Sequence, residues 1–262
     1  MSTLAGTKAE RSRSFIELLD RIRIIDDARA EESLLEELTR PTRPFIVSFV
    51  NAHAANLGWN EPGMLESLRR SDLLLRDGIG VKLGMRALSR PYGVNMNGTD
   101  LIPKIARAYR GRRVALFGTS SPWLETSRQR LEQEMGLEVV ACHDGFAPQE
   151  KYLELAVAAK PELIILAMGM PKQEQVAVKL REVLTHPVLI VNGGAILDFL
   201  AGKVTRAPMW MRKTGLEWTY RLWLEPRRLF RRYVLGIPVF FSHVMEARVR
   251  GQAGRTAGPG GS

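Results

Sequence analysis

The sequence predicts an α/β fold: a mostly parallel sheet with helices on both faces, followed by a C-terminal helical appendage. Three observations carry that expectation. Short apolar, β-branched runs alternate with longer segments of helical period, the pattern of repeated strand–helix units. The runs are hydrophobic throughout rather than at every second residue, as strands covered on both faces must be. The last fifth of the chain abandons the alternation and becomes rich in arginine and tryptophan.

In chain order, the strand candidates are the apolar runs 22–25, 45–50, 73–75, 114–117, 137–141, 163–167 and 188–191. The segments between them have helical period: 28–38, 64–69, 81–88, 100–109, 123–135, 149–159 and 172–183. Together they describe a Rossmann-like sheet. Past it, Pro226 marks a boundary, because proline suits the first turn of a helix and biases Glu225 away from helical geometry. One helix is expected to end near Leu224 and the next to start near Pro226. Residues 1–13 and 251–262 are small and polar, too poor in apolar groups to repay their ordering entropy, and are expected to be disordered. The α/β domain is thus expected over 14–208 and the appendage over 209–250.

A chain of 262 residues with 45% hydrophobic content can bury a substantial core. Its one cysteine, Cys142, excludes an intramolecular disulfide and fits a reducing compartment. The first apolar cluster, residues 15–19, is interrupted by Glu17, so a secretory leader is not expected. No stretch reaches the roughly 18 apolar residues of a spanning helix. A meeting with a membrane would therefore be peripheral. The formal charge of +10 is concentrated: residues 203–250 hold eleven Lys/Arg against three Asp/Glu, a local +8. Guanidinium groups recognise phosphate oxygens, and tryptophan favours the boundary between water and lipid headgroups. That composition suits a lipid-linked phosphate or an anionic bilayer face, and equally a solvated basic helix packed on the body. Arg228, Arg231 and Arg232 stand at i, i+3 and i+4 and share a helical face.

In open parallel sheets, ligands sit beyond the carboxyl ends of the strands. The residues that follow the predicted strands there combine glycine with small polar groups: Asn51-Ala52-His53, Asp77-Gly78-Ile79-Gly80, Gly118-Thr119-Ser120-Ser121, His143-Asp144-Gly145, Gly169-Met170-Pro171-Lys172-Gln173 and Asn192-Gly193-Gly194. One such loop is only a tight turn; a row of them makes a binding rim. Asp77 is placed to accept a proton from a hydroxyl, although Asp-Gly is also a common turn. Asn51 either orients a substrate or forms an Asx turn, and His53 reads as a satisfied interior group. Pro171 opens a helix whose N-terminus, near Gly169, is suited to a diphosphate with Lys172 and Gln173 beside it, and equally is a plain N-terminal proline cap. Gly78-x-Gly80-x-x-x-Gly84 imitates a dinucleotide fingerprint weakly, since Asp100 follows Asn97-Gly98-Thr99 as in a helix cap rather than closing a second strand. A nicotinamide-dependent oxidoreductase and a basic nucleic-acid binder are two readings these features admit; neither is favoured, and no nucleic-acid partner is expected. No metal-diphosphate motif appears, so arginines and helix ends would neutralise a leaving group.

Six ordered blocks resemble the WecG/TagA/CpsF glycosyltransferases, known as glycosyltransferase family 26: Asp77-Gly78-Ile79-Gly80-Val81, Asn97-Gly98-Thr99-Asp100, Gly169-Met170-Pro171-Lys172-Gln173-Glu174, Gly193 through Gly202, Arg206-Ala207-Pro208, and Glu217-Trp218-x-Tyr220-Arg221-Leu222-x-x-Glu225-Pro226-Arg227-Arg228. The resemblance runs from about residue 22 to 241. It implies an inverting hexosyltransferase that needs neither metal nor cofactor, using a UDP-sugar donor and a polyprenyl-diphosphate-linked saccharide acceptor at the cytoplasmic face of the cell membrane. It makes Asp77 the general base and Asn51 a site residue, puts Gln173 and Asp198 in the donor pocket alongside the rim residues Gly169, Thr119 and Lys172, and places Arg221, Arg228 and Arg231 over the diphosphate. A homo-oligomer is compatible with it. Two positions depart from the family pattern: Phe49 where many members have threonine, and Asn95 where many have arginine. Ser48 offers a hydroxyl, but on a strand it faces away from Phe49. The run of residues 50–54 resembles the GumM-like branch, which adds glucose in exopolysaccharide assembly, so glucose joins N-acetylmannosamine as an expected donor sugar.

Overall fold

The computed structural model describes residues 7–256. Seven strands form one sheet: β1 (Ile22–Arg23), β2 (Pro44–Val50), β3 (Leu73–Arg76), β4 (Arg113–Gly118), β5 (Glu138–His143), β6 (Leu163–Ala167) and β7 (Val188–Asn192). Their order is β1-β3-β2-β7-β6-β4-β5, and every pairing is parallel. The helices are α1 (Lys8–Asp20), α2 (Ala28–Leu38), α3 (Ala52–Asn60), α4 (Pro62–Arg69), α5 (Ile79–Ala87), α6 (Gly98–Ala108) and α7 (Trp123–Met135), then α8 (Gln149–Ala159), α9 (Lys172–Val183), α10 (Ile196–Leu200), α11 (Met209–Thr214), α12 (Glu217–Leu224), α13 (Pro226–Phe230) and α14 (Gly236–Thr256). A π-helical turn, Arg231–Leu235, joins the last two. All seven expected strands are present, most extended by a residue or two and β1 shortened.

Strands β1 to β3 form one half of the sheet and β4 to β7 the other. The halves meet where β2 lies beside β7, with Val47 opposite Val191. This is the switch point at which the connections diverge and leave a crevice. Side chains alternate across the sheet. Val47 and Phe49 pack with α2, α6 and α7 on one face. On the other face Ile46 joins α8 and α9, and Val50 joins α1, α3 and α5. Gly118 at the end of β4 is required by close approach: a Cβ there would lie 2.3 Å from the Ala167 carbonyl oxygen.

Two terminal expectations need correction. Lys8 to Arg13 are helical, because Thr7 and Glu10 close a reciprocal capping box and Phe15, Leu18 and Leu19 anchor α1 in the core. Residues 1–6 lie outside the described residues. At the other end α14 continues through residues 251–256, and residues 257–262 lie outside the described residues.

The segment 209–250 is not uniform. Helix α12 buries no residue, whereas Phe240, Val244 and Ala247 of α14 are fully buried in the cluster built from α1, α3 and α5. Asn56 Nδ2 donates to the Gly236 carbonyl at 2.7 Å, and Trp59 stacks on His243 with ring centroids 4.1 Å apart. The basic, exposed stretch is therefore held between the sheet and a helix that belongs to the body. Gly84 on α5 makes the docking possible, since a Cβ there would stand 2.7 Å from the Phe240 ring. Gly84→Val is expected to destabilise the protein by about 1–3 kcal/mol, the usual cost of overpacking. A thermal midpoint equal to wild type would contradict this account of α14.

Candidate active site

The loops after β2 to β7 line one cavity of about 600 Å³ at the carboxyl edge of the sheet, and a smaller one of about 150 Å³ adjoins it. Asp77 borders both. Its backbone N–H donates to the Val50 carbonyl at 2.9 Å, which locks the end of β3 to β2. Beneath it the guanidinium of buried Arg76 donates to the carbonyls of Gly78, Tyr92 and Gly93 at 2.7–3.1 Å, fixing the turn. Asn51 has a double function. As the N-cap of α3 its Oδ1 accepts from the Ala54 N–H at 3.0 Å, and its Nδ2 donates to Asp77 Oδ2 at 3.2 Å. One side chain thus both caps α3 and reaches Asp77.

The Asp77 carboxyl is held above its ordinary pKa, first by loss of hydration, with Glu217 adding to the rise; the Asn51 hydrogen bond and the charges of Arg232 and Arg221 oppose it. A carboxylate so placed is a stronger base than one in water. His53 on the first turn of α3 also borders both cavities, and burial plus Arg232 lower its pKa to about 4. It is a cavity residue, which corrects its reading as a satisfied interior group.

On the far side of the crevice, Thr119 donates its hydroxyl to Asp198, which also pairs with Lys203 at 3.1 Å. Gly169 lines the cavity, as does Gln173, whose Oε1 accepts from the Gly194 N–H at 2.9 Å while its Nε2 donates to Glu174 Oε1 at 2.8 Å. Gln173 thereby ties the start of α9 to the loop after β7. Lys172 is not part of the lining: its ammonium is taken up by the Gly145 and Ala147 carbonyls at 2.8 and 2.7 Å and shapes the loop after β5. Ser48 is buried between strands, 2.7 Å from Ser71 Oγ and accepting from Asn192 Nδ2, facing away from the cavity as strand alternation requires. Phe49 lines the cavity, and Asn95 accepts the Gly78 N–H at 2.8 Å.

The roof comes from the basic segment. Arg221 and Arg232 border both cavities, the Arg221 guanidinium 5.1 Å above the Phe199 ring, and Arg231 borders the larger one. The two consecutive arginines sit on the π-helical turn, a distortion common at functional sites. Arg228 is on α13, and its side chain lies outside the described residues. Arg206 secures this roof: it donates to Asp100 at 2.7 Å and to both carboxylate oxygens of Glu217 at 3.2 and 3.3 Å, one helical turn before Arg221. Among the residues that sequence reasoning left out of the site are Arg232, Thr99 and Phe146. Phe146 stands 79% exposed at the cavity mouth, where only its aromatic character beside Gly145 could have signalled it. Among the described residues no cluster of three or more His, Cys, Asp or Glu could hold a metal ion, and no helix is long and apolar enough to cross a membrane.

Comparison with known proteins gives a consistent result. The profile described as "Glycosyl transferase WecG/TagA/CpsF family" matches residues 19–254. Similar proteins include three named N-acetylglucosaminyldiphosphoundecaprenol N-acetyl-beta-D-mannosaminyltransferase. That of Bacillus spizizenii is 28% identical over 68% of this chain and 70% of its own, and that of Bacillus subtilis (strain 168) is 27% identical over 77% and 79%. That of Staphylococcus aureus (strain NCTC 8325 / PS 47) is 28% identical over 78% and 80%.

Glu174, buried behind Gln173, offers a test of the cavity wall. Loss of hydration raises its pKa from the ordinary 4.5 to about 7, despite hydrogen bonds from Gln173 and its own backbone. Between those two values the folded protein keeps a proton that the unfolded chain has lost. The contribution of this carboxyl to stability therefore falls as pH rises from 4.5 to 7 and levels off above. Glu174→Gln lacks this slope while keeping an acceptor for Gln173. Its thermal midpoint is expected to gain on wild type across that window, by the equivalent of a few kcal/mol at pH 8. Parallel curves from pH 5 to 8 would contradict the burial of this carboxyl.

Proposed function

The chain belongs to the WecG/TagA/CpsF family of glycosyltransferases, and from that premise we propose that it transfers a hexose-type sugar from a UDP-sugar to a polyprenyl-diphosphate-linked saccharide with inversion at the anomeric carbon. The observation that carries the mechanism is the position of Asp77, half-buried in the wall that two cavities share. A base at such a boundary can touch an acceptor arriving from one side while the donor occupies the other. Asp77 takes the proton of the acceptor hydroxyl, the oxygen attacks the anomeric carbon, and the bond to the diphosphate breaks. Asn51 keeps the carboxylate aimed. The charge that develops on UDP falls under Arg221, Arg231 and Arg232, so the step as written assigns no role to a metal.

The larger cavity suits the donor. Phe146 at its mouth supplies a ring for the base, and Thr119, Asp198 and Gln173 lie between that ring and the seam. The smaller cavity, with Trp218 and Tyr233 in its wall, suits an acceptor sugar, and the relatives' names make a diphosphate-linked N-acetylglucosamine the first choice. Those names favour N-acetylmannosamine as the transferred sugar, whereas the run of residues 50–54 favours glucose and an exopolysaccharide product. The lipid part of the acceptor gives the appendage its purpose. Trp210, Trp223, Phe230 and Leu235 are 49–74% exposed on the arginine-rich segment, the composition of a surface that rests on an anionic cytoplasmic membrane face.

Three measurements test this reading. In a thermal-shift panel, UDP, UDP-N-acetylmannosamine or UDP-glucose is expected to raise the midpoint and NAD(P)H is not, because a ligand that binds the native state stabilises it; no shift with any UDP compound would remove the donor assignment. Asp77→Asn is expected to keep the UDP shift and lose about 10²–10⁴-fold in turnover, the range for a general base. Near-normal turnover would reassign the base. Replacing Trp223 and Phe230 together by alanine is expected to weaken flotation with anionic vesicles while leaving the UDP shift intact. Unchanged flotation would take the membrane role from this face.

A further inference from the structure

Six residues border both cavities: Asn51, His53, Asp77, Thr99, Arg221 and Arg232. They form the boundary across which a transferred group must pass. Most of their side chains have visible assignments. Asn51 spends its amide on Ala54 and Asp77, Arg221 lies over Phe199, and Arg232 lies 5.6 Å from the centre of the Tyr233 ring while facing Asp77 and His53 with its charge. Asp77 is the base. His53 differs: its ring has no hydrogen bond or ion pair among the described residues, although it is half-buried. A half-buried imidazole without a protein partner, in the wall of a cavity, is paired by water or by what the cavity binds.

Position decides between donor and acceptor. The loops that suit the nucleotide follow β4, β5 and β6, on the far side of the β2–β7 seam, whereas His53 follows β2 on the side of β3 and Asp77. It thus stands with the base rather than with the leaving group. Its chemistry fits that place. Burial and Arg232 both disfavour the imidazolium, and the uncharged ring offers one N–H donor and one acceptor nitrogen, the pair that a sugar hydroxyl matches. A third cation beside Arg221 and Arg232 would instead weaken Asp77 as a base.

Resting on the transferase reading above, we infer that His53 is a substrate-binding residue that hydrogen-bonds the acceptor sugar at the boundary of the two cavities and turns its attacking hydroxyl towards Asp77. Its contact is with the acceptor, so donor binding does not depend on it. The test uses the full-length protein, the UDP-sugar selected by thermal shift, and a short-chain polyprenyl-diphosphate-linked N-acetylglucosamine. His53→Ala is expected to lower kcat/KM for the acceptor by about tenfold or more, the loss of one substrate hydrogen bond. The UDP midpoint shift and the donor KM should stay at wild-type values. His53→Gln, which keeps a donor and an acceptor, should recover part of the loss.

Unchanged acceptor kinetics in His53→Ala would overturn the inference, as would an equal loss of UDP binding, which would mark His53 as a support for the whole cavity. No recovery in a folded His53→Gln whose UDP shift is intact would also count against it. A wild-type protein that binds UDP but does not glycosylate the lipid-linked acceptor would remove the transferase reading and this inference together. That outcome is separate from a wild type that is active and a variant that is equally so.

Discussion

A carboxylate withdrawn from bulk water stays ionised only if N–H groups and cations face it, and in this protein the cations facing Asp77 come from the far end of the chain. Arg221 and Arg232 oppose the effect of burial on Asp77, and Asn51 adds a hydrogen bond. Everything else about the C-terminal segment follows from the need to deliver those charges to one place. A basic stretch with almost no buried surface cannot fix its own position. It is therefore held at both ends: before Arg221 by Arg206, which joins Asp100 to Glu217, and after Arg232 by α14, whose Phe240, Val244 and Ala247 enter the core. Ion pairs that are partly exposed give direction more than stability; the buried helix supplies the stability.

Much of the fold was legible from periodicity because the strands are buried on both faces, and a run such as residues 163–167 or 188–191 admits no other reading once helical segments flank it. The failures were local. Residues 8–13 look like a polar terminus, yet Thr7 and Glu10 encode a helix start that composition conceals. Residues 52–60 hide a helix behind Asn51, whose one amide caps that helix and also hydrogen-bonds Asp77. The anchoring of α14 was invisible because its apolar residues are not gathered on one helical face of the sequence. Only the three-dimensional fit of Phe240 over Gly84 distinguishes the buried positions from the exposed Val239 and Met245 beside them.

The site was legible to a similar degree. A position at the end of a strand is enough to nominate Asp77, Asn51, Thr119 and Gly169, since parallel topology brings such ends together regardless of detail. Side-chain direction is a different matter. Lys172 follows the same rule yet turns away, because two loop carbonyls capture its ammonium. Phe146 had no motif to announce it, and Arg232 showed only as part of a basic helical face; one depends on the exposed mouth of a loop, the other on a π-helical turn.

The charge pattern around Asp77 also constrains the chemistry. Guanidinium groups that stabilise a departing diphosphate lower the basicity of any nearby carboxylate, so the two needs conflict when both must be met within one crevice. Three features ease the conflict. Burial pushes the Asp77 pKa up against the arginines, and Glu217 pushes in the same direction. Glu217 is at the same time a partner of Arg206, so the residue that fixes the roof also tempers its field. His53, the remaining titratable group at the boundary, is kept uncharged by burial and by Arg232, the same cation that the proposed reaction sets over the leaving group. In the proposed reaction Arg232 thus has two parts: it would gather negative charge where the donor breaks, and it disfavours a further positive charge on His53 beside Asp77. A site arranged in this way keeps the buried carboxyl and the cations of the roof a short distance apart, with the cations contributed by one segment of the chain.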